Sequence, residues 1–226
     1  MKYSIITVFA LFIAYIGTGQ DTIEKSLPVK NYSQINIDFQ FADQIIIKSW
    51  DKKEAYVKAI VNINNNEDND KFSLTVRETN DGAKLVSEID DLDEISNEVE
   101  VYRHGEIIRS DHCVDMEIDF EIFLPAGSEI RLETISGDIE IMGFNSKMEV
   151  KTISGFIDVT LDPRSKNDIL METITGEFYS DLDLDRQSKS EWKNHWIGGD
   201  LETTLNGGGP RIKLETISGN IYLRRE

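Results

Sequence analysis

Between residues 132 and 223 one pattern of apolar and polar positions keeps returning. Leu132-Glu133-Thr134-Ile135-Ser136-Gly137-Asp138-Ile139-Glu140-Ile141 is followed by Val150 to Val159, by Met171-Glu172-Thr173-Ile174-Thr175-Gly176, and by Leu214-Glu215-Thr216-Ile217-Ser218-Gly219-Asn220-Ile221-Tyr222-Leu223. Ile139-Glu140-Ile141, Ile157-Asp158-Val159 and Ile221-Tyr222-Leu223 alternate with a period of two, which sends one row of side chains inward and one outward from a strand. Gly137, Gly155, Gly176 and Gly219 divide the units and mark corners that need positive φ or close backbone approach. These glycines are 18, 21 and 43 residues apart, and the last interval predicts a worn copy at Ile197-Gly198-Gly199-Asp200-Leu201. Two short strands per unit of roughly 20 residues predict a short parallel β-solenoid of about five coils, each burying its apolar row only by stacking on its neighbours.

Upstream the chain is also all-β, but less regular. Ile35-Asn36-Ile37-Asp38-Phe39-Gln40-Phe41 alternates strictly and leads to Ile45-Ile46-Ile47, a worn copy of the same unit. Ala55 to Ile63, Phe72 to Val76 and Met116 to Leu124 read as further strands, and the run from Asn64 to Asp70 as a turn. A hairpin is expected to join Val99-Glu100-Val101 to Ile107-Ile108 through His104-Gly105. The break at Pro125-Ala126-Gly127 divides an N-terminal β region, residues 20–125, from the solenoid, residues 126–226. Arg186 to Trp196 interrupts the repeats as an insertion.

Lys2, the uncharged run Ile5 to Ile16 and the small residues Gly17-Thr18-Gly19 have the form of an export signal. Residues 1–19 are therefore read as a signal peptide, cut before Gln20. The apolar run is shorter than the roughly 20 residues a spanning helix needs, and no later run of that length predicts a transmembrane segment in the mature protein. The formal charge of −18 is spread along the chain, and the basic pair Arg224-Arg225 is too small a cluster for counterion release from nucleic acid. An anionic membrane surface is disfavoured for the same reason. Cys113 is the single cysteine, so no internal disulfide can form, and Gln20 at the cleavage site leaves nothing to acylate.

Asp111-His112-Cys113-Val114-Asp115 collects zinc-type ligands at alternate strand positions. His104 and His195 lie in unrelated segments, so Cys113 is read as a buried, inert thiol. Two acidic triplets, Asp181, Asp183, Asp185 and Glu117, Asp119, Glu121, offer oxygen ligands for calcium. Each is read instead as the solvated face of a half-buried strand. Glu133, Glu172 and Glu215 recur at one repeat position, with Lys151 in the same register. A catalytic residue breaks a repeat, whereas these obey it. No nucleophile elbow, triad spacing, Walker loop or dinucleotide fingerprint occurs. No catalytic, cofactor-binding or metal-ligating residue is assigned. Trp192, His195 and Trp196 are the candidate partner-binding residues, since exposed tryptophans stack on sugars or anchor protein partners; the alternative is that they plug one end or flank of the solenoid.

Phe120-Glu121-Ile122-Phe123-Leu124-Pro125-Ala126-Gly127-Ser128, followed by the T-I-S-G units, resembles the bacterial putative-adhesin family of short β-strand repeats. The likeness runs over about residues 115–226 and returns at Ile35 to Ile47. It implies a right-handed β-helix-like head and supplies no catalytic residues. The sequence stops three residues after the last repeat strand, which favours a periplasmic or secreted protein over an anchored one, with surface association as a further expectation. The functional expectation is an exported, non-enzymatic envelope module that binds or scaffolds a glycan or protein of the envelope or a neighbouring cell. The alternatives are a polysaccharide-active β-helix enzyme, which needs carboxylates converging in a groove, and an envelope-stress accessory protein.

Overall fold

The computed structural model describes residues 20–30, 33–95, 97–103, 106–185 and 198–226, with backbone alone for 97–113. The expected export signal, the candidate residues Trp192, His195 and Trp196, and the side chains of Asp111, His112 and Cys113 lie outside the described residues.

Alternating apolar positions become strands almost throughout. The first are β1 (Asp21–Pro28), β2 (Gln34–Trp50), β3 (Glu54–Ile63), β4 (Phe72–Glu78) and β5 (Gly82–Ile89). β6 (Asn97–Arg103) and β7 (Glu106–Cys113) form a separate antiparallel pair, as the hairpin expectation required. β8 (Met116–Pro125), β9 (Glu129–Met142), β10 (Met148–Ser154), β11 (Ile157–Leu161), β12 (Asn167–Thr175) and β13 (Phe178–Ser180) follow. The last are β14 (Leu184–Asp185), β15 (Gly199–Leu205), β16 (Arg211–Ser218) and β17 (Ile221–Arg225). Fifteen of the described strands belong to one mixed sheet, whose longest path runs β1-β3-β8-β2-β9-β10-β16-β12-β15-β14.

β2 and β9 each serve two rows. Ile35, Ile37 and Phe39 of β2 pair in parallel with Ile130, Leu132 and Thr134, then the register shifts between Phe41 and Gln44 before Ile45 and Ile47 meet Ile139 and Ile141. The worn copy at Ile35 to Ile47 thus stands in register with the repeats. The first row continues from β9 to β10, β16 and β12, and the second from β9 to β11, β17 and β13.

Equivalent positions stack across these rows. Leu132, Val150, Leu214 and Met171 form one fully buried ladder, and Ile139, Ile157 and Ile221 another. Each such side chain contributes about 1.5–3 kcal/mol by leaving water, an upper estimate because denatured chains already bury some surface.

Threonine occupies an inward position beside each corner. Thr134, Thr152, Thr216 and Thr173 are buried in register with one another. Their hydroxyls donate to Ser136 O at 2.8 Å, Ser154 O at 3.0 Å, Gly155 O at 3.2 Å and Gly219 O at 3.1 Å, respectively. Carbonyls turned out of the ladder at the corner are satisfied from inside, where an unpaired group would cost about 1–3 kcal/mol. Gly155 holds φ at +128°, and a Cβ there would lie 2.2 Å from Gly137 O. The repeat therefore reads T-x-x-G because the corner needs one hydroxyl and one missing side chain.

Two expectations are corrected. The T-I-S-G units do not stack in chain order: β16 lies between β10 and β12, and β17 between β11 and β13. Of the worn copy placed at Ile197 to Leu201, Ile197 lies outside the described residues, and Gly199 to Leu201 is not part of a further parallel coil, because β15 pairs antiparallel to β12 over Asn167–Thr173. One arrangement explains both. With β15 occupying the far edge of β12, the repeat that follows has an open parallel edge only on the β10 side.

A third correction concerns Asp181, Asp183 and Asp185, expected on one strand face. Only Leu184–Asp185 is strand, and Leu182 turns inward to become buried. β1 and β5 were not anticipated. β1 is held by antiparallel pairing along β3, with Ile23 and Leu27 packed against the core.

Candidate interaction surface

The outward positions of the four T-I-S-G units form three parallel stripes. In the first row, Glu133, Lys151, Glu215 and Glu172 stand in register. Lys151 Nζ pairs with Glu215 at 3.0 Å, while Lys213 Nζ reaches both Glu172 at 3.0 Å and Glu215 at 3.1 Å. Two glutamates side by side would repel; Lys213 between them removes the conflict. Hydrogen bonding from Lys151, with Lys213 adding to it against partial burial, holds the Glu215 carboxyl below its usual range. Lys213 is correspondingly raised by its bonds to Glu172 and Glu215.

Isoleucine forms the second stripe. Ile135, Ile153, Ile217 and Ile174 are 42%, 44%, 39% and 62% exposed, each between threonine and serine (or threonine) positions that pair in register. An apolar ridge on an acidic protein therefore runs along the corner. The phase of the repeat carries the signal for it: Leu132 in, Glu133 out and Thr134 in leaves Ile135 out.

The third stripe, beyond the corner, is Glu140, Asp158, Tyr222 and Tyr179. The two tyrosine rings stack at 5.1 Å with planes 11° apart, and Phe156 meets Tyr222 edge-on at 6.0 Å. Arg224 lies over the Tyr222 ring at 5.0 Å and pairs with Asp158 at 2.7 Å. Burial nonetheless raises the Asp158 carboxyl above its ordinary value against the opposing pull of Arg224, and its Oδ1 is buried without a hydrogen-bond partner.

Several carboxylates outside the stripes are held in structural bonds. Asp43 Oδ2 accepts from Ile118 N at 2.8 Å. Asp119 is raised by burial, then by Asp43 and Glu117, while Glu121 pairs with Lys48 at 3.1 Å. Asp185 Oδ2 accepts from Gly207 N at 2.7 Å and Thr204 Oγ1 at 2.8 Å, which holds its carboxyl low. Asp181 Oδ1 accepts from Arg225 N at 2.7 Å.

A cleft of about 620 Å³ is lined by Ser49, Gly143, Phe144, Asn145, Asp162, Arg164, Ser165 and Glu226. Its Asp162 is held low by hydrogen bonds from the Arg164 side chain and backbone, the opposite of the raised pKa a general acid needs. Among the described residues, no three His, Cys, Asp or Glu side chains gather as metal ligands. Trp50 closes the turn after β2, donating to Glu54 O at 2.9 Å and stacking on Phe123 at 5.2 Å. Among the described residues no helix is long and apolar enough to cross a membrane.

In fold the chain is similar to the solved structure of a putative cell adhesion protein from Clostridium sporogenes, at 11% identity and TM-score 0.54, over 92% of this chain and 100% of that one. A putative adhesin from Bacteroides fragilis is similar over 92% of this chain and 99% of its own, at 12% identity and TM-score 0.28. For one from Parabacteroides merdae the shares are 89% and 95%, at 7% identity and TM-score 0.23. The Clostridium likeness establishes a shared fold, and the other two add no argument to it. No family model and no curated protein matches the chain.

Proposed function

We propose that this chain is an exported, non-enzymatic module of the bacterial cell envelope, which binds or scaffolds a glycan or a protein through its repeat region. One observation carries the non-enzymatic part of this reading. Charged residues of the first row pair with each other, Lys151 with Glu215 across strands and Lys213 with both Glu172 and Glu215. A glycoside-cleaving site needs two carboxyl groups about 5–9.5 Å apart across a groove, one of them held protonated. The fold shared with the Clostridium protein, itself described as a putative cell adhesion protein, is compatible with a binding role. In this reading residues 126–226 form the repeat head, a short β-helix-like stack, and residues 20–125 its β cap.

Protease digestion of the tagged protein in intact and permeabilised cells, with the culture supernatant assayed alongside, tests the exported part. Cytoplasmic retention would refute it. Incubation with a panel of envelope and host polysaccharides tests the rest: binding without release of new reducing ends is expected, and catalytic release of reducing ends would favour the polysaccharide-active enzyme.

A further inference from the structure

The repeat at residues 211–225 holds an unusual place. Among the described residues, no strand of 20–161 pairs with any strand of 167–205; β16 and β17 alone carry the backbone ladder from one block to the other. β16 is parallel to β10 on one side and β12 on the other, and β17 to β11 and β13. Until this repeat is in place, two pairs of strand edges face an open slot, and such unpaired edges are templates for any strand of matching pattern.

The slot reads side chains that recur along the chain. Ile212 to Ile221 matches Ile130 to Ile139 at eight of ten positions, differing only by Lys for Arg and Asn for Asp. The slot therefore recognises a repeat by its pattern, whichever chain supplies it. The upstream connection is the five-residue segment 206–210, with Gly207, Gly208 and Gly209 in succession, and it spans at most about 17 Å when extended. A repeat from a second copy would restore every ladder contact, Leu214 between Val150 and Met171 and Ile221 between Ile157 and Phe178 included. Such an exchange costs only hinge rearrangement and association.

We infer that a second copy of this chain is a partner of the slot, and that two copies assemble by reciprocal exchange of their 211–225 repeats. Ser154, on the β10 wall of the slot, and Ser218, on the seated β16, are exposed and stand in register. Ser154→Cys with Ser218→Cys, in a Cys113→Ser background, converts occupancy into a covalent record. After refolding and oxidation, a repeat seated in its own chain gives a crosslinked monomer and an exchanged repeat gives a crosslinked dimer. Exchange predicts that, while monomer predominates, tenfold higher refolding concentration raises the dimer-to-monomer ratio about tenfold, as mass action requires, while either single-cysteine variant gives far less dimer. Crosslinked monomer alone at every concentration would overturn the inference, as would equal dimer from a single-cysteine variant. Light scattering on the unsubstituted chain keeps the test independent of the cysteines. A dimer that forms on concentrated refolding and survives dilution supports exchange, and monomer throughout refutes it.

Discussion

Replacing Gly155 by alanine tests the corner directly, and Gly207→Ala supplies its control. Both glycines sit at positive φ, +128° and +83°, so both substitutions carry backbone strain, of order 1–3 kcal/mol at a sparsely populated conformation. They differ in surroundings. A Cβ on Gly207 meets nothing within 4 Å, whereas one on Gly155 would lie 2.2 Å from Gly137 O and 2.7 Å from its carbon. Backbone cannot rotate away, so the two units must separate. That movement strains Gly155 N–H donating to Ser218 O and Ile139 N–H donating to Phe156 O, both at 3.0 Å, each bond worth about 0.5–1.5 kcal/mol net. Overpacking adds about 1–3 kcal/mol. Gly155→Ala should therefore cost about 3–9 kcal/mol and Gly207→Ala about 1–3 kcal/mol, against a total domain stability of about 5–15 kcal/mol. Urea denaturation followed by circular dichroism measures both, with an unchanged slope securing the comparison. Equal losses in the two variants would show that the corner is not sterically closed and that the hydroxyl, not the glycine, defines it.

Ile139→Asp places a carboxylate at a fully buried position and should remove roughly 4 kcal/mol or more; an unchanged melting temperature would mean that the inward row is misassigned. Thr152→Val deletes the hydroxyl that donates to Ser154 O and should cost about 1–2 kcal/mol, while Ile153→Thr on the exposed ridge stays within about 0.5 kcal/mol; denaturation midpoints in the reverse order would refute the corner bond. Glu215 has a folded pKa below its unfolded value, so its contribution is present above about pH 4.3 and is lost as pH falls through the folded pKa. Glu215→Gln should accordingly lower stability near neutrality by about 0.5–1 kcal/mol, with the gap closing on acidification; a gap constant with pH would exclude the ion pairs as its cause. Asp185→Asn and Asp181→Asn should each lower the melting temperature, because these carboxylates accept backbone N–H groups, whereas Asp183→Asn, at a fully exposed side chain, should not. A uniform response of all three to added calcium would instead point to a shared ion.

Much of the fold was legible because period-two alternation is a direct image of inside and outside. Ile35 to Phe41, Ala55 to Ile63, Met116 to Leu124 and the T-I-S-G units are strands whose inward apolar row is buried. β1 shows no continuous apolar row, with only Ile23 and Leu27 packed on the core, and its place is fixed chiefly by pairing along β3. Asp181 to Asp185 alternates as a strand does, but the chain must turn there so that β15 runs back along β12 with β14 beside it, and Asp181 and Asp185 are consumed in backbone hydrogen bonds. The isoleucine ridge was present in the repeat's phase; it went unseen because a T-I-S-G string invites every isoleucine to be counted as core.

Stacking order was the part that could not be read, and the reason lies in the repeats themselves. Positions that are alike in Leu132, Val150, Leu214 and Met171 make each unit an acceptable neighbour for every other, so the apolar ladder discriminates in-register from out-of-register pairing but hardly one order of units from another. Order must then come from what is not repeated. Ser165, Asn167 and Asn206 are such residues. Asn206 Nδ2 donates to Pro163 O at 2.9 Å and Ser165 O at 2.7 Å, and Asn167 Nδ2 to Pro210 O at 3.4 Å. These bonds tie the loop before β16 to the loop before β12, which sets the 211–225 repeat beside 167–180 while β15 occupies the other edge. A few loop side chains therefore decide an arrangement to which dozens of core atoms are nearly indifferent, and the same indifference lets a unit from another copy fill the slot.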